Sequence, residues 1–367
     1  MTGAVRGWCP GAWRPMMSGD GLVVRVRPRL GRLACDAALG LGEIAARHGS
    51  GVIELTRRGN VQIRGVSPAA HDAVLTGLNA LGLLDTDPET EARRNILVQP
   101  FWAAGDTTHR LGHRLHEVLA DLPDLPAKFG LAVDTGAAPI LGRDPADIRV
   151  ERAASGLIVR ADGAATGRAV LEEGAVPAML DLARWFAANR GDTRRMSALL
   201  DRAALPDRFA GAPPLPPAAP PRPGPTPHGS LAGVPFGQIE APLWTAAARA
   251  ATALRITPWR MLVLEGADTA PEGLITRPDD PILAVDACPG APFCASASVE
   301  TRSVARALAG RVASLHVSGC AKGCARSRPA AVTLVGRDGR FDLVTDGRAG
   351  DIPTRRGLTP VQVADAL

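Results

Sequence analysis

At 367 residues, with 46% hydrophobic and 22% charged residues, the chain is too long for one small core, too apolar for disorder, and without an apolar run long enough to span a bilayer. Its formal charge of +5 points to an acidic partner, yet aromatics make up only 4%, tyrosine is absent and the basic residues form no dense block, which argues against a nucleic-acid stacking platform. The expectation is a cytoplasmic protein, since the N-terminus has no charged-then-apolar signal architecture, that binds a small polyanion rather than nucleic acid or membrane.

In chain order, residues 21–28 predict a strand with Val24 and Val26 on one face and Arg25 and Arg27 on the other. Residues 33–47 predict a helix with Ala38, Leu41 and Ala45 aligned and Gly49 as its cap. A strand at 52–55, the segment Thr56-Arg57-Arg58-Gly59-Asn60, a strand at 61–64 and a helix opening at Ser67-Pro68 with Val74, Leu78 and Leu81 on one face complete a strand–helix–strand–helix unit. Residues 211–227 (GAPPLPPAAPPRPGPTP) are too proline-rich for a helix or a central strand and read as a semi-rigid linker. Beyond it a similar order returns: strand 233–238, helix 243–254, strand 260–264, and Ile282-Leu283-Ala284-Val285 echoing Ile96-Leu97-Val98. The repeated order predicts an internal duplication, two half-domains about a pseudo-two-fold axis with a large cleft between them.

Four of the six cysteines stand as Cys288-x5-Cys294 and Cys320-x3-Cys324. Four soft thiolates suit an iron–sulfur cluster or zinc. Zinc knuckles draw their cysteines two to four residues apart, and the wider first spacing, shaped by Pro289, Gly290 and Pro292, can wrap a bulkier centre. A helix at 295–309 and a strand at 315–317 are expected between the pairs. Cys9 and Cys35 have no such pattern and read as ordinary thiols.

The double motif, with Ser318-Gly319 before the second pair and Val332-Thr333-Leu334 after it, resembles the cluster signature of the sirohaem-dependent nitrite and sulfite reductases; Ala331 departs from the family by replacing an acidic residue. The resemblance covers nearly the whole chain. It implies an α+β fold of duplicated ferredoxin-like half-domains (1–90 and 229–280) and two larger α+β domains (91–210 and 281–367), joined through the linker 211–228, the last domain carrying a 4Fe–4S cluster on Cys288, Cys294, Cys320 and Cys324. Within the same frame Arg27, Arg58, Gln62, Arg94 with Asn95, and Lys128 resemble the residues that line the family's tetrapyrrole and anion cleft. Forked guanidinium groups grip carboxylates bidentately and lysine adds a point charge. In a chain with 40 arginines and only two lysines, Lys128 and Lys322, each arginine alone reads equally well as a surface charge.

Gly130 stands where those reductases place the second lysine of a lysine–x–lysine pair. The segments Trp8-Cys9-Pro10-Gly11, Ser18-Gly19-Asp20-Gly21-Leu22, Arg25-Val26-Arg27-Pro28, Thr56 to Gln62 and Lys128-Phe129-Gly130 look instead like the precorrin-hydroxylating branch of the superfamily, from aerobic cobalamin synthesis. That resemblance implies a polycarboxylate tetrapyrrole as substrate rather than prosthetic group, hydroxylated at C20 by oxygen with closure of a γ-lactone, and electrons that come ultimately from NADH, directly or through a donor protein. It also brings in a mononuclear non-haem iron as the oxygen-activating centre, for which the seven histidines offer no 2-His-1-carboxylate spacing; His109, His113 and His116 share a helical face that reads as solvated or packed. Neither the spacing nor the resemblance singles out a catalytic residue. The alternative is a sirohaem-dependent nitrite or sulfite reductase, in which Cys324 would also bridge cluster and sirohaem.

Overall fold

Alternation of apolar and polar side chains builds the first sheet of the computed structural model, which describes residues 10–367; Trp8 and Cys9 of the opening segment lie outside the described residues. The chain runs through β1 (Met16–Ser18), β2 (Gly21–Val26), β3 (Arg32–Ala34), α1 (Cys35–His48), β4 (Val52–Leu55), β5 (Val61–Val66) and α2 (His71–Ala80). Val24, Val26, Ile53, Leu55, Val61 and Ile63 enter one core with Leu41 of α1 and Leu78 of α2. The alternate positions Arg25, Glu54 and Gln62 fall in register across the opposite face, and Gln238 of a later strand extends the row.

Next come α3 (Pro88–Arg93), β6 (Ile96–Val98), α4 (Thr107–Glu117), β7 (Leu131–Asp134), β8 (Ile148–Ala153), β9 (Gly156–Ala161), β10 (Arg168–Val170), α5 (Glu172–Asn189) and α6 (Met196–Leu200). The proline-rich stretch then runs extended, its few amides tied down by Leu215 N–H to the Arg152 carbonyl (2.7 Å) and Ala218 N–H to that of Pro139 (2.8 Å). It leads into β11 (Gly224–Thr226), β12 (Gly229–Gly233), β13 (Gln238–Glu240), α7 (Ala241–Arg249), β14 (Ala253–Ile256) and β15 (Met261–Glu265). Last are β16 (Val285–Ala287), α8 (Arg302–Ala307), β17 (Leu315–Ser318), β18 (Ala330–Arg337), β19 (Arg340–Gly347), β20 (Arg355–Leu358) and α9 (Pro360–Asp365).

Four five-stranded sheets result: β1-β2-β5-β4-β13, β11-β12-β15-β14-β3, β6 to β10 in sequence, and β16 to β20 in sequence. The α+β class is as expected, and the duplication reaches atomic detail. Thr56 Oγ1 accepts from the amides of Arg58 and Asn60, and Thr257 Oγ1 from those of Trp259 and Met261, so the two turns have one hydrogen-bond plan. Leu30 and Phe236 each adopt a left-handed conformation (φ 52° and 55°) inside a one-turn helix just before β3 and β13. The halves also exchange strands: β3 pairs with β14, and β13 with β4. Between the sheets α1 packs on α7, with the buried Trp244 indole donating to the Ala38 carbonyl at 2.7 Å. In the β6–β10 and β16–β20 sheets the first three strands are parallel to one another and the last two pairings are antiparallel.

Five expected elements are corrected, the first being the 33–47 helix, which begins only at Cys35 because 32–34 pair with β14 as β3. The 295–309 helix shortens to α8, because the preceding amides bond across the cysteine loops: Ala297 N–H to the Cys294 carbonyl and Ser298 N–H to that of Gly319. Residues 281–284 form a one-turn helix capped by Asp280, which moves the strand to β16. The 243–254 helix stops at Arg249 because 253–256 is recruited as a strand between β15 and β3. The 233–238 strand is split into β12 and β13 by the Pro235–Gly237 turn. No helix among the described residues is long and apolar enough to cross a membrane.

Candidate functional site

Parallel strands β16 and β17 end side by side, with Val285 opposite Leu315 and Ala287 opposite Val317. Cys288 follows the first directly and Cys320 stands two residues beyond the second, so both ligand loops leave the same edge of the sheet. All four thiols fall within electrostatic reach of one another: burial pushes the Cys288 thiol up, with Cys294 and Cys320 adding to the rise, and burial pushes Cys324 up, with Cys320, Cys288 and Cys294 adding. Small residues allow this approach. A Cβ on Gly319 would lie 2.5 Å from that of Ala297, and one on Gly290 (φ 70°) would lie 2.6 Å from Thr301 Oγ1. Gly319 N–H donates to Cys288 Sγ at 3.1 Å, the kind of contact that stabilises a thiolate.

The donor set fits a polynuclear iron–sulfur cluster. Four soft thiolates on two loops that leave one sheet edge are the ligand set such a cluster takes, and among the described residues no three His, Cys, Asp or Glu side chains gather where they could hold one ion. By the same observation, the expected mononuclear iron finds no ligand set among the described residues. His109 and His113 meet edge-to-face at 4.5 Å beside Trp102, His113 exposed to solvent, and His116 bonds the Gly112 carbonyl. Cys35 bonds the Ala248 carbonyl where α1 meets α7.

The Cys294 loop is fastened to the polar face of the first sheet. The Phe293 carbonyl accepts from Ser18 Oγ (2.8 Å), Gly19 N–H (3.2 Å) and Arg64 Nη2 (3.0 Å). Arg64 is held by Asp20 at 2.7 Å and Glu54 at 3.3 Å, and Glu54 reaches Arg302 of α8 at 2.6 Å. Arg302 also donates to Gln238. One chain of charge thus runs from the β1–β2 hairpin to the helix behind Cys288.

The residues expected to bind substrate fall into three groups. Arg58 Nη2 donates to the Lys128 carbonyl at 2.8 Å, which places both beside Gly130. Gln62 accepts two bonds from Arg25, at 2.7 and 3.2 Å. Arg27 and Arg94 are buried and ion-paired, with Glu91 at 3.0 Å and Asp85 at 2.9 Å; burial draws the Arg94 guanidinium down, and Arg27 and Arg29 add to that. Gly130 is packed tightly: its N–H donates to Asp147 Oδ2 at 2.9 Å, and a Cβ there would meet Arg58 Nη1 at 3.1 Å and the Pro145 carbonyl at 3.2 Å.

Where the four sheets' loops converge there is a cleft of about 680 Å³, with Arg57, Asp144, Trp259, Arg260, Asp286 and Arg326 in its wall. It adjoins the thiols through Arg260, which bonds the carbonyl of Ala325, next to Cys324, at 2.9 Å and pairs with Asp286 at 2.7 Å. Burial pushes the Asp144 carboxyl up to about 6, opposed by a hydrogen bond from Trp259 Nε1 at 3.0 Å. Sequence reasoning missed these groups because the arginine excess masks each one. Position was the available signal, since Asp286 lies two residues before Cys288 in an apolar strand and Arg326 two after Cys324.

Residues 14–81 match the family model of the nitrite/sulfite reductase ferredoxin-like half domain. Over an alignment of 402 residues, covering 95% of this chain and 84% of the relative, the chain is 30% identical to a precorrin-3B synthase from Sinorhizobium sp. Its fold is similar to that of the Mycobacterium tuberculosis NirA protein, with a TM-score of 0.62 at 18% identity over 94% of this chain and 79% of that one.

Proposed function

Since the chain belongs to the precorrin-3B synthase family, we propose that it is an oxidoreductase that hydroxylates precorrin-3A at C20 and closes an acetate side chain into a γ-lactone. In this reading one atom of O2 enters the product and the other leaves as water, with two electrons supplied ultimately by NADH. A 4Fe–4S cluster held by Cys288, Cys294, Cys320 and Cys324 would supply single-electron transfer when bound. Arg58 and Lys128 orient the tetrapyrrole through its carboxylates, and Arg25 with Gln62 extends the polar surface below them. Arg27 and Arg94, each neutralised by a buried acid, serve the fold beneath this surface rather than gripping a carboxylate.

The observation that carries this reading is Gly130. In a sirohaem reductase a second lysine is needed here to hold and protonate a small anion, whereas glycine supplies no such group and a Cβ in its place would crowd Arg58 Nη1 at 3.1 Å and the Pro145 carbonyl at 3.2 Å. The reductase alternative, favoured by the half-domain match at 14–81, predicts sirohaem absorption and six electrons consumed per anion. The decisive experiment incubates anaerobically reconstituted protein with precorrin-3A, reductant and ¹⁸O2. The expected product is a hydroxylactone carrying one ¹⁸O; an unchanged substrate with no oxygen uptake would sink the proposal.

A further inference from the structure

Arginines bordering the cleft divide by whether an acid already holds them. Arg260 and Arg326 both pair with Asp286, at 2.7 and 2.9 Å, and Arg222 donates to the Pro278 carbonyl. Arg57, Arg143 and Arg328 also line the cleft, but none of the ion pairs among the described residues involves them. They come from three separate parts of the chain: the turn before β5, the loop after β7 and the segment after Cys324. All three nonetheless crowd together, since Arg328 feels the charges of both Arg57 and Arg143. Three like charges at one rim repel, and nothing about local sequence spacing would bring them together.

The acids nearby do not offset them. Asp279 pairs with Arg277 at 3.0 Å, and Asp280 caps the Ile282 amide at 2.9 Å. Asp286 acts on Arg328 but is already shared between Arg260 and Arg326, and Asp144, which faces Arg57 and Arg328, accepts from Trp259. Trp259 is half-buried in the same wall and packs with Leu231, Met261 and Val263, so the cationic rim adjoins an indole platform. Unpaired guanidinium groups beside a flat apolar wall match a planar macrocycle that carries carboxylate arms.

We infer that Arg57, Arg143 and Arg328 form a second carboxylate-receiving site, distinct from the Arg58–Lys128 pair, which grips acetate or propionate arms of the tetrapyrrole while Trp259 lies against the macrocycle. The inference rests on the proposed tetrapyrrole chemistry and adds three specificity-determining side chains to it. Two grips on separated arms fix the ring's rotation as well as its position, which a single anion site cannot do.

The test uses the full-length, cluster-loaded protein and commercial porphyrins as probes: uroporphyrin III with eight carboxylates, coproporphyrin III with four and mesoporphyrin with two. Binding is read by porphyrin fluorescence at two salt concentrations. Wild type is expected to bind in the order of carboxylate number. Each of R57Q, R143Q and R328Q should weaken uroporphyrin binding by about tenfold, and the triple variant by about a hundredfold, with a shallower salt dependence. R47Q, on the exposed side of α1, should bind as wild type does, and unchanged circular dichroism and cluster absorption would show that the triple variant is folded. If wild type binds and the folded triple variant binds within threefold of it, the second site is wrong while the tetrapyrrole reading stands. If wild type binds none of the three porphyrins, both fall together.

Discussion

His316 is fully buried on β17, and neither of its ring nitrogens has a hydrogen-bond partner among the described residues. Burial pulls its pKa down to about 4; Asp286 opposes that pull, whereas Arg326 and Arg260 reinforce it. The folded pKa therefore lies below the unfolded value of 6.5, so the ring is neutral in the fold and the unfolded chain binds the extra proton. Stability from this group is complete above about pH 6.5 and is lost as pH falls towards 4, by about 2 kcal/mol at pH 5. Replacing a ring that makes no hydrogen bond with an apolar side chain removes the proton uptake without leaving a partner unsatisfied. His316→Leu should thus unfold in urea within about 1 kcal/mol of wild type at pH 8, and be the more stable of the two at pH 5. Identical pH profiles for the two proteins would discard this account of His316.

At the scale of elements, Arg64 ties the Cys294 loop to the charged face of the first sheet, beside Ser18 and Gly19. Arg64→Gln would leave Asp20 without its cation while Glu54 keeps only Arg302, and a largely buried acid stripped of its partner typically costs about 3–5 kcal/mol. The Phe293 carbonyl would also lose one of its three donors. Arg64→Lys keeps the charge but not the fork that bonds both acids and the carbonyl, so an intermediate loss is expected. Hydrogen exchange over residues 288–298 is the direct readout: faster exchange at Cys294 and Ala297 is expected in Arg64→Gln, and unchanged protection would show that the loop is held by its own turns. Little of this clamp was legible beforehand. The alternation of Val24 and Val26 with Arg25 and Arg27 identified a sheet with one polar face, and the cysteine spacings identified two loops, but nothing local says that Phe293 meets Arg64 across 229 residues. The same limit explains the misplaced elements. Residues 32–34 and 253–256 look helical by propensity and become strands only because each lies against the other in one sheet. Arg27 and Arg94 were legible as cationic positions, whereas their burial against Glu91 and Asp85 depends on where α3 docks.

For the molecule as a whole, strand exchange makes the two half-domains a single folding unit despite the proline-rich segment between them. Removing either half would strip β4 of β13, β14 of β3, and α1 of the α7 face that carries Trp244. Each isolated half would then present an unpaired sheet edge and an uncovered apolar helix face, which together favour aggregation over folding. The covalent link contributes far less, because the stretch near residues 216–220 is exposed and extended and closes no core. Introducing a protease site there and cutting the purified protein should leave both fragments together in gel filtration, with one cooperative unfolding transition measured by tryptophan fluorescence. The piece comprising residues 1–215, produced alone, should lack that transition, since Trp244 and the strand that completes its first sheet are both missing. Two fragments that elute apart, each still folded, would mean that the exchanged strands only decorate two independent domains. The same cut tests the cleft, because its wall draws on both sides of the break, and porphyrin binding should survive cleavage for as long as the fragments remain associated.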